Sequence, residues 1–421
     1  MENFMMKNDD FIRMNADEKN QLQLERLQST LNRAYRNVPF HKKRFKEMGI
    51  DLSQIENLSN IARLPFMERQ HISENYPYNL FAVPLRDIVR IHTAPGTTHN
   101  PTVSGYTPQD LANWQSILTR ALQASEVTPH DILQITLNPG LANWGRDYKY
   151  GAEGIEASVI PHTRMSIEKK LMVLRDYKTS VLITTPSSAL QLANYVRKNE
   201  ININVFELKT LILIGEAVSE DDRRSLEKDL HVKIWTHYGL SEVPGPAIAF
   251  ECKAHEGLHI NEDHFLPEIV DPATGNVLPE GRFGELVLTT LTTRAFPLIR
   301  FKTGDKAKIV TQPCECKSGL SRIDWRGDRT DDLINIDGVK VHKKQIQLSI
   351  QSLLKLPSDA SKFLIKQRDG KKYIEVWIPV NNAIFSDEIK ELESLIQSAE
   401  KNLLENIGIP VAIRLKEKSM I

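Results

Sequence analysis

Residues 211–217 read Leu-Ile-Leu-Ile-Gly-Glu-Ala, a short apolar run that ends at a glycine. Four consecutive apolar residues before a turn residue predict a strand that is buried on both faces. A similar run, Val181-Leu182-Ile183, comes earlier, and a segment with helical apolar spacing lies between the two. Helices that alternate with buried strands predict a parallel sheet with right-handed crossovers. The sequence therefore predicts a large α/β domain.

Hydroxyl residues and prolines predict where several helices begin and end. Ser166 and Ser188 are each placed to cap a helix, because their side chains can accept from free backbone N–H groups. Pro39 should end the N-terminal helix, since it disfavours helical geometry at Val38. Ligands of parallel sheets bind beyond the carboxyl ends of the strands, so chemistry is expected after Ile183, Ile214 and Trp235.

The last ninety or so residues have a different pattern, with strands, a turn and one long amphipathic helix. This pattern predicts a small α+β domain. The charged stretch Asp328–Asp332 is suited to a hinge, so the predicted domains are residues 1–328 and 329–421.

Composition excludes several classes of protein. The chain has 421 residues, 54 basic and 54 acidic, with 41% hydrophobic and 26% charged residues. This balance is that of a globular protein and argues against a nucleic-acid partner. No apolar run approaches the length that spans a bilayer, and the N-terminus has no signal-peptide pattern, so no membrane partner is expected. With only three cysteines, a cytoplasmic protein is predicted.

Several different short motifs follow one another along the chain. They are Gly96-Thr97-Thr98, Gly215-Glu216-Ala217, Tyr238-Gly239-Leu240-Ser241-Glu242, Arg300-Phe301-Lys302-Thr303-Gly304-Asp305, Arg329-Thr330-Asp331-Asp332 and Gly338. Taken singly, Gly96-Thr97-Thr98 could be a surface turn, Asp305 a turn residue and Tyr238 a core aromatic. In this order and spacing, the set resembles the adenylate-forming enzymes, and most closely the phenylacetate–coenzyme A ligases. The resemblance covers the chain except its C-terminal end.

The resemblance implies an AMP-forming acid–thiol ligase. Such an enzyme activates a carboxylic acid, here an aryl or arylacetic acid, with MgATP to an acyl-adenylate. Coenzyme A then displaces AMP. A small-molecule acid and coenzyme A are the implied partners, and the resemblance leaves a homodimer open.

The resemblance also assigns roles to single residues. Gly96, Thr97 and Thr98 would contact the phosphates, Ser241 the α-phosphate, and Glu242 would hold Mg²⁺, which prefers carboxylate oxygen. Tyr238, with Gly239, would stack on adenine, and Gly215, Glu216 and Ala217 would lie at its edge. Asp305 would accept from both ribose hydroxyls and Arg329 would reinforce it. The small domain would turn about Asp331 and Asp332, bringing Gly338 to the pantetheine tunnel.

The three cysteines suggest a metal site. Cys252, Cys314 and Cys316, with His259, make a Cys₃His set of the kind that binds structural Zn²⁺ in a closed tetrahedron. His255 is the competing fourth ligand, and three unrelated reduced thiols are the alternative.

The sequence departs from the family pattern in three places. The phosphate loop has Ala94, Pro95, His99 and Asn100 where the family has two serines, a glycine and a lysine. The acid-binding stretch, residues 137–150, carries charges that are expected at a solvated rim or, alternatively, against a polar substrate. The family's C-terminal Gly-Lys segment has no counterpart in residues 415–421, so Lys302 is the first candidate for the cation in adenylation.

Two other functions stay open at this point. One is an acyl-adenylate-forming enzyme that serves a carrier protein or an amine. The other is a catalytically silent, zinc-braced ATP-binding protein that keeps the fold.

Overall fold

The computed structural model describes residues 10–94, 101–137, 142–160, 165–243, 245–310, 312–331, 333–336, 339–343, 346–347, 349–350, 362–368, 371–379, 389–407 and 409–416. Its α-helices, in chain order, are α1 (Ala16–Asn37), α2 (Pro39–Glu47), α3 (Arg69–Glu74), α4 (Pro108–Ala124), α5 (Ala142–Glu153), α6 (Ile167–Asp176), α7 (Pro186–Lys198), α8 (Glu220–Leu230) and α9 (Ile389–Ile407). No helix within these ranges is both long and apolar enough to cross a membrane.

The strands form one large sheet and three small ones. In chain order they are β1 (Arg90–Ala94), β2 (Thr102–Tyr106), β3 (Ile132–Ile135), β4 (Ser158–Ile160), β5 (Val181–Thr184), β6 (Thr210–Ile214), β7 (Lys233–Tyr238), β8 (Ala249–Phe250), β9 (Leu258–Ile260), β10 (Phe265–Val270), β11 (Gly284–Thr290), β12 (Phe301–Val310), β13 (Arg322–Arg329), β14 (Leu333–Ile336), β15 (Val339–His342), β16 (Lys362–Arg368), β17 (Lys371–Pro379) and β18 (Val411–Lys416).

The large sheet has eleven strands in the order β10-β11-β12-β13-β9-β8-β7-β6-β5-β3-β4. Strands β4, β3, β5, β6 and β7 pair in parallel, as predicted. In the other half of the sheet every neighbouring pair is antiparallel, from β7 through β8, β9, β13, β12 and β11 to β10. The large domain is therefore α/β, with a mixed sheet whose parallel half is only part of the whole.

Strand β6 is buried on both faces, as its unbroken apolar run predicts. Ile212 and Ile214 pack in a core that also contains residues of α4 and α5, while Leu211 and Leu213 pack in a second core with α6, α7 and α8. The alternation of side chains along a strand explains this division. The parallel strands are thus covered by helices on both sides, which leaves their carboxyl ends for ligands.

The predicted helix ends are correct except for one. Ser166 caps α6, and α1 ends at Asn37, directly before Val38 and Pro39. The prediction that Ser188 caps α7 is wrong, because α7 begins three residues earlier with Pro186 at its first position and Thr185 as its cap. The Thr185 side chain accepts from the backbone N–H of Ser188. Proline suits the first turn, where no N–H is needed.

A small sheet of three strands, β16, β17 and β18, lies in the C-terminal part. With α9 and the β14–β15 hairpin, it surrounds a separate core that includes Ile374, Val376 and Leu403. The predicted α+β composition of this part is confirmed. Strand β13 of the large sheet ends at Arg329 and β14 begins at Leu333. The predicted hinge stretch therefore starts within β13, and its pair Asp331 and Asp332 lies between the two strands in the sequence.

Candidate active site

The polar residues that follow β6 and β7 line a pocket of about 260 Å³ at the carboxyl ends of the parallel strands. Its lining residues come from the large sheet, from its connecting loops and, in one case, from β17. They are Gly215, Glu216, Ala217, His237, Tyr238, Gly239, Asp305, Trp325, Arg326, Gly327, Asp328, Arg329 and Lys372. The structure therefore brings together seven of the residues to which the sequence assigned nucleotide binding.

Two glycines keep this pocket open at the backbone. Gly215 has φ +83°, a conformation that residues with a side chain rarely adopt. At Gly239, an added Cβ would lie 2.8 Å from both the carbonyl oxygen of Gly245 and the Cα of Pro246. A larger residue at Gly239 would require movement of the neighbouring backbone, and one at Gly215 would strain its own backbone.

Asp305 lies at the centre of a buried hydrogen-bond network. The Tyr238 hydroxyl donates to Asp305 Oδ2 at 2.7 Å, and Arg329 Nη1 donates to Asp305 Oδ1. Burial, followed by the Asp305 charge, raises the pKa of Tyr238 well above its usual value, so the phenol keeps its proton. Burial by itself lowers the pKa of Arg329, but its contacts with Asp331 and Asp305 outweigh this effect and raise it. Asp305 is thus held in place by two donors that stay protonated.

Glu242 lies in the turn after β7 and is buried, with 4% exposure. The Ser241 hydroxyl donates to its Oε2 atom at 3.1 Å, and Arg69 Nε donates to Oε1 at 2.5 Å. Ser241 and Glu242 follow Gly239, which lines the pocket, by two and three positions along the chain. Their roles stay predictions.

Arg69 is a member of this site that the sequence did not indicate. Its guanidinium also donates to Asp331 Oδ2 at 3.3 Å and to the carbonyl oxygen of Thr303 at 2.8 Å. The partners Glu242 and Asp331 are 173 and 262 positions away along the chain. Because no local pattern marks such distant contacts, only the folded structure reveals this residue.

Several predicted residues lie outside the described part of the chain. They are Gly96, Thr97 and Thr98 of the phosphate loop, Asp332 of the hinge pair, and Gly338. The strands on either side of the phosphate loop, β1 and β2, form an antiparallel pair that reaches Ala94 and Thr102. The roles of these five residues stay predictions.

Lys302, the predicted candidate for the adenylation cation, contacts a carboxylate on the neighbouring strand. Its Nζ atom lies 3.2 Å from Glu285 Oε2, and Nζ also lies 5.6 Å from the centre of the Phe66 ring. Glu285 in turn accepts from the backbone N–H of Gly304. Lys302 is therefore already paired, and its catalytic role stays a prediction.

Within the acid-binding stretch expected from the resemblance, the described residues from Ala142 onward lie in α5. Arg146 is exposed, which fits the solvated rim that we expected for the charges of this stretch. That expectation is wrong for Asp147, which is buried. Arg90 Nη1 donates to its Oδ1 at 2.6 Å, so the buried carboxylate has a charged partner. Burial nevertheless raises the pKa of the Asp147 carboxyl to about 7, against the opposing effect of Arg90.

A second contact fixes α5 against the strand that carries Tyr238. Tyr148 OH lies 2.7 Å from His237 Nδ1, and Ser125 Oγ lies 2.9 Å from His237 Nε2. Burial lowers the pKa of His237 to about 3, so the ring is neutral. Because the Ser125 hydroxyl donates to the carbonyl of Ala121, its oxygen accepts from Nε2, and Tyr148 donates to Nδ1.

The four candidate zinc ligands, Cys252, His259, Cys314 and Cys316, come together in the structure. Their ligand atoms all lie within 4.8 Å of one another. The Cys252 and Cys314 sulfurs are 3.5 Å apart, and Cys316 Sγ lies 3.2 Å from His259 Nε2. A tetrahedral zinc ion with Zn–S bonds of about 2.3 Å places two sulfurs about 3.8 Å apart. The donor set and its spacing therefore fit Zn²⁺.

The histidine of this cluster is His259 and not His255. His259 Nδ1 lies 2.9 Å from the carbonyl oxygen of Leu320, an arrangement that leaves Nε2 to face the cysteines. Burial lowers the pKa of His259, which favours the neutral ring that a metal requires. His255 instead stacks on Trp235, with 4.4 Å between ring centres.

Curated relatives match nearly the whole chain. A phenylacetate–coenzyme A ligase of Pseudomonas putida is 33% identical over 402 residues, which are 95% of this chain and 91% of the relative. One of Thermus thermophilus is 34% identical over 409 residues, 94% of this chain and 91% of the relative. The chain belongs to the phenylacetate–coenzyme A ligase family. The predicted class of enzyme, an AMP-forming acid–thiol ligase, is confirmed. No protein-family model matches the chain.

A solved structure shares the fold of this ligase over both domains. It is 2-hydroxyisobutyryl-CoA ligase in its thioesterification state, with a TM-score of 0.86 at 22% identity, covering 97% of this chain and 88% of the other. In its postadenylation state the same neighbour has the same coverage but a TM-score of 0.69. The present structure is therefore more similar overall to the thioesterification state of that protein than to its postadenylation state. In this ligase, Lys372 of β17 lies 3.9 Å from Glu216.

Proposed function

We propose that this ligase activates an aryl or arylacetic acid with MgATP and transfers the acyl group to coenzyme A. The observation that carries this proposal is the network of Tyr238, Asp305 and Arg329, which lies beside Glu242 at the carboxyl ends of the parallel strands. The names of the curated relatives support phenylacetate or a related aromatic acid as the substrate. An acid–coenzyme A ligase has its substrates in the cytoplasm, which is the proposed location.

The pocket residues would bind the nucleotide part of ATP. We assign the ribose hydroxyls to Asp305, whose carboxylate Tyr238 and Arg329 orient, and the adenine to the space beside Tyr238 and residues 215–217. The ribose would compete with Tyr238 for one oxygen of Asp305, so the hydrogen bond seen here would rearrange on binding. Charge-assisted hydrogen bonds of this kind are about twice as strong as neutral ones.

Glu242 is the residue that would hold Mg²⁺. A buried carboxylate next to a hydroxyl is the hard oxygen donor that this ion prefers. Bound there, Mg²⁺ would offset the charge of the phosphates. The proposed roles of Thr97, Thr98 and Ser241 are to donate to phosphate oxygens.

The chemistry then consists of two displacements. In the first, an oxygen of the substrate carboxylate bonds to the α-phosphorus, and the bond from that phosphorus to pyrophosphate breaks. In the second, the sulfur of coenzyme A bonds to the acyl carbon and AMP leaves, while the thiol proton passes to solvent. We propose that residues 329–421 turn between the two steps and that Gly338 then lies near the pantetheine.

A panel of acids tests this function. We expect acid-dependent exchange of pyrophosphate into ATP with phenylacetate or benzoate, and release of AMP that requires coenzyme A. Short aliphatic acids should support exchange at a rate at least about tenfold lower, because each apolar group that a substrate lacks weakens its transition-state binding in an apolar pocket by roughly 1–3 kcal/mol. Exchange without any use of coenzyme A would contradict the proposed acceptor.

We further propose that the cluster of Cys252, His259, Cys314 and Cys316 binds a structural Zn²⁺. Cys252 precedes β9, His259 lies on β9, and Cys314 and Cys316 lie in the segment before β13. A closed set of four protein ligands leaves no position for a substrate, so its role would be to hold these segments together.

Zinc analysis of the purified protein should give about one ion per chain. Cys314→Ser should release that ion and lower the melting temperature by several degrees, because loss of a structural metal is strongly destabilising. The affinity for ATP should change much less than the stability. His255→Ala provides the matched control, since His255 lies outside the cluster and the variant should keep its zinc. A protein that contains no zinc, with a melting temperature unaffected by Cys314→Ser, would refute the site.

A further inference from the structure

Arg69 connects the residue assigned to Mg²⁺ with the residue assigned to the hinge. Its side chain is only 9% exposed and has three partners: Glu242 Oε1 at 2.5 Å, Asp331 Oδ2 at 3.3 Å and the Thr303 carbonyl oxygen at 2.8 Å. Arg329 also donates to Asp331, at 2.7 Å, and it donates to Asp305 as well. One continuous network therefore runs from Glu242 through the hinge to the proposed ribose site.

The backbone places Arg69 firmly. Met67 accepts from the backbone N–H of Lys302, and its own N–H donates to the carbonyl of Arg300, both at 2.9 Å. Arg69 begins α3 two residues later, and its guanidinium lies 5.5 Å from the centre of the Phe301 ring. The position of the guanidinium is thus set by the large sheet, not by the small domain.

The contact with Glu242 opposes binding of a metal ion at the same carboxylate. A guanidinium that donates to Oε1 and a divalent cation on that carboxylate would repel each other at short distance, in a site that is largely removed from water. The contact with Asp331 depends on the hinge, because a turn at residues 331 and 332 changes where the Asp331 side chain points. The two contacts of Arg69 therefore belong to one arrangement of the domains, the one in which this structure lies.

We propose that Arg69 is a positioning residue that couples departure of Mg²⁺ to the turn of the small domain. With the metal bound at Glu242, Arg69 is displaced from that carboxylate. After the metal leaves with pyrophosphate, Arg69 pairs with Glu242 and holds Asp331, which stabilises the thioester-forming arrangement. Coupling of this kind is reciprocal, so this arrangement weakens metal binding by the same factor by which the metal disfavours the arrangement. The inference rests on the proposed function.

Two variants test the role of Arg69. Arg69→Gln removes the charge, and Arg69→Lys keeps the charge but cannot reach three partners at once. The first measurement is the affinity of the protein for Mn²⁺ in the presence of ATP and without acid, determined by electron paramagnetic resonance. The second is the conversion of supplied phenylacetyl-adenylate by coenzyme A in metal-free buffer.

In Arg69→Gln, we expect Mn²⁺ to bind three- to tenfold more tightly and the thioester step to slow at least tenfold. Arg69→Lys should lie between this variant and the native protein in both measurements. Arg120→Gln is the matched control, because Arg120 is buried to a similar degree and pairs with Asp263 away from the pocket. Arg120→Gln should lower the melting temperature without changing the Mn²⁺ affinity or the rate of the thioester step.

Three results would distinguish the proposed role of Arg69 from the proposed ligase function. Unchanged Mn²⁺ affinity together with an unchanged thioester step would overturn the role of Arg69. Weaker Mn²⁺ binding in Arg69→Gln would also overturn it, since Arg69 would then assist the metal. If the native protein fails to convert the adenylate while Mn²⁺ binding still tightens in Arg69→Gln, the choice of acid or acceptor is wrong, and the opposition between Arg69 and the metal stands.

Discussion

Replacing Glu242 by glutamine should slow acid-dependent ATP–pyrophosphate exchange by about 10²–10³-fold. The carboxylate is the proposed ligand of Mg²⁺, and loss of one group that stabilises charge in a transition state typically costs a factor of this size. Glutamine keeps the shape of the side chain, and its amide oxygen can still accept from Arg69. The fold should therefore persist, and exchange assays with labelled pyrophosphate measure the effect directly.

The second half-reaction separates a catalytic effect from a structural one. Conversion of a supplied acyl-adenylate by coenzyme A needs no metal at Glu242 and should change less than about threefold in this variant. Glu268→Gln is the control, because Glu268 also forms a buried pair with an arginine, Arg300, outside the pocket. Exchange that stays within about threefold of the native rate in Glu242→Gln would rule out the proposed ligand.

Asp305→Ala should weaken ATP binding by at least tenfold. Two charge-assisted hydrogen bonds to the ribose would be lost, and each contributes roughly 1.5–3 kcal/mol. The loss of binding free energy should be smaller than the sum of these two values. In the native protein ATP has to compete with Tyr238 and Arg329 for Asp305, and the variant has no such contacts to break. Titration calorimetry with ATP, without acid, measures the change.

Asp324→Ala provides the comparison for this second prediction. Asp324 lies on β13 near the pocket, but it pairs with Lys308 and Arg326 and does not line the pocket. ATP affinity should therefore be the same as in the native protein. If Asp305→Ala binds ATP as tightly as Asp324→Ala does, the ribose is not at Asp305 and the assignment of the pocket fails.

The sequence predicts most accurately those features that depend on neighbouring residues. The apolar run at β6 and the proline after α1 each have a local physical cause, and both predictions are confirmed. The cap of α7 was misplaced because three hydroxyl residues, Thr185, Ser187 and Ser188, lie within four positions, and Pro186 at the first helical position selects Thr185. Antiparallel strands β10 to β13 have no such signature, since their pairing depends on turns and distant partners.

The same distinction between local patterns and distant contacts applies to the residues of the candidate site. Asp305 and Glu242 were predicted because each lies in a short motif of the family, Glu242 shortly after the end of β7 and Asp305 within β12. Arg69 and Trp325 lie in no motif. Trp325 approaches Tyr238 edge-on at 4.9 Å between ring centres, a contact that joins β13 to β7 across the sheet. The choice between His255 and His259 likewise needed the structure, because both are close enough to Cys252 along the chain to serve.

The cysteine–histidine cluster lies where the two halves of the large sheet meet. Strands β8 and β9 are two and three residues long, and β9 pairs with β13 through only two residue pairs. On either side of this narrow seam, the parallel and antiparallel strands pack largely in different cores. Few backbone hydrogen bonds therefore transmit the stability of one half to the other. If Zn²⁺ binds these four side chains, we expect its loss to let the two halves of the large domain unfold separately.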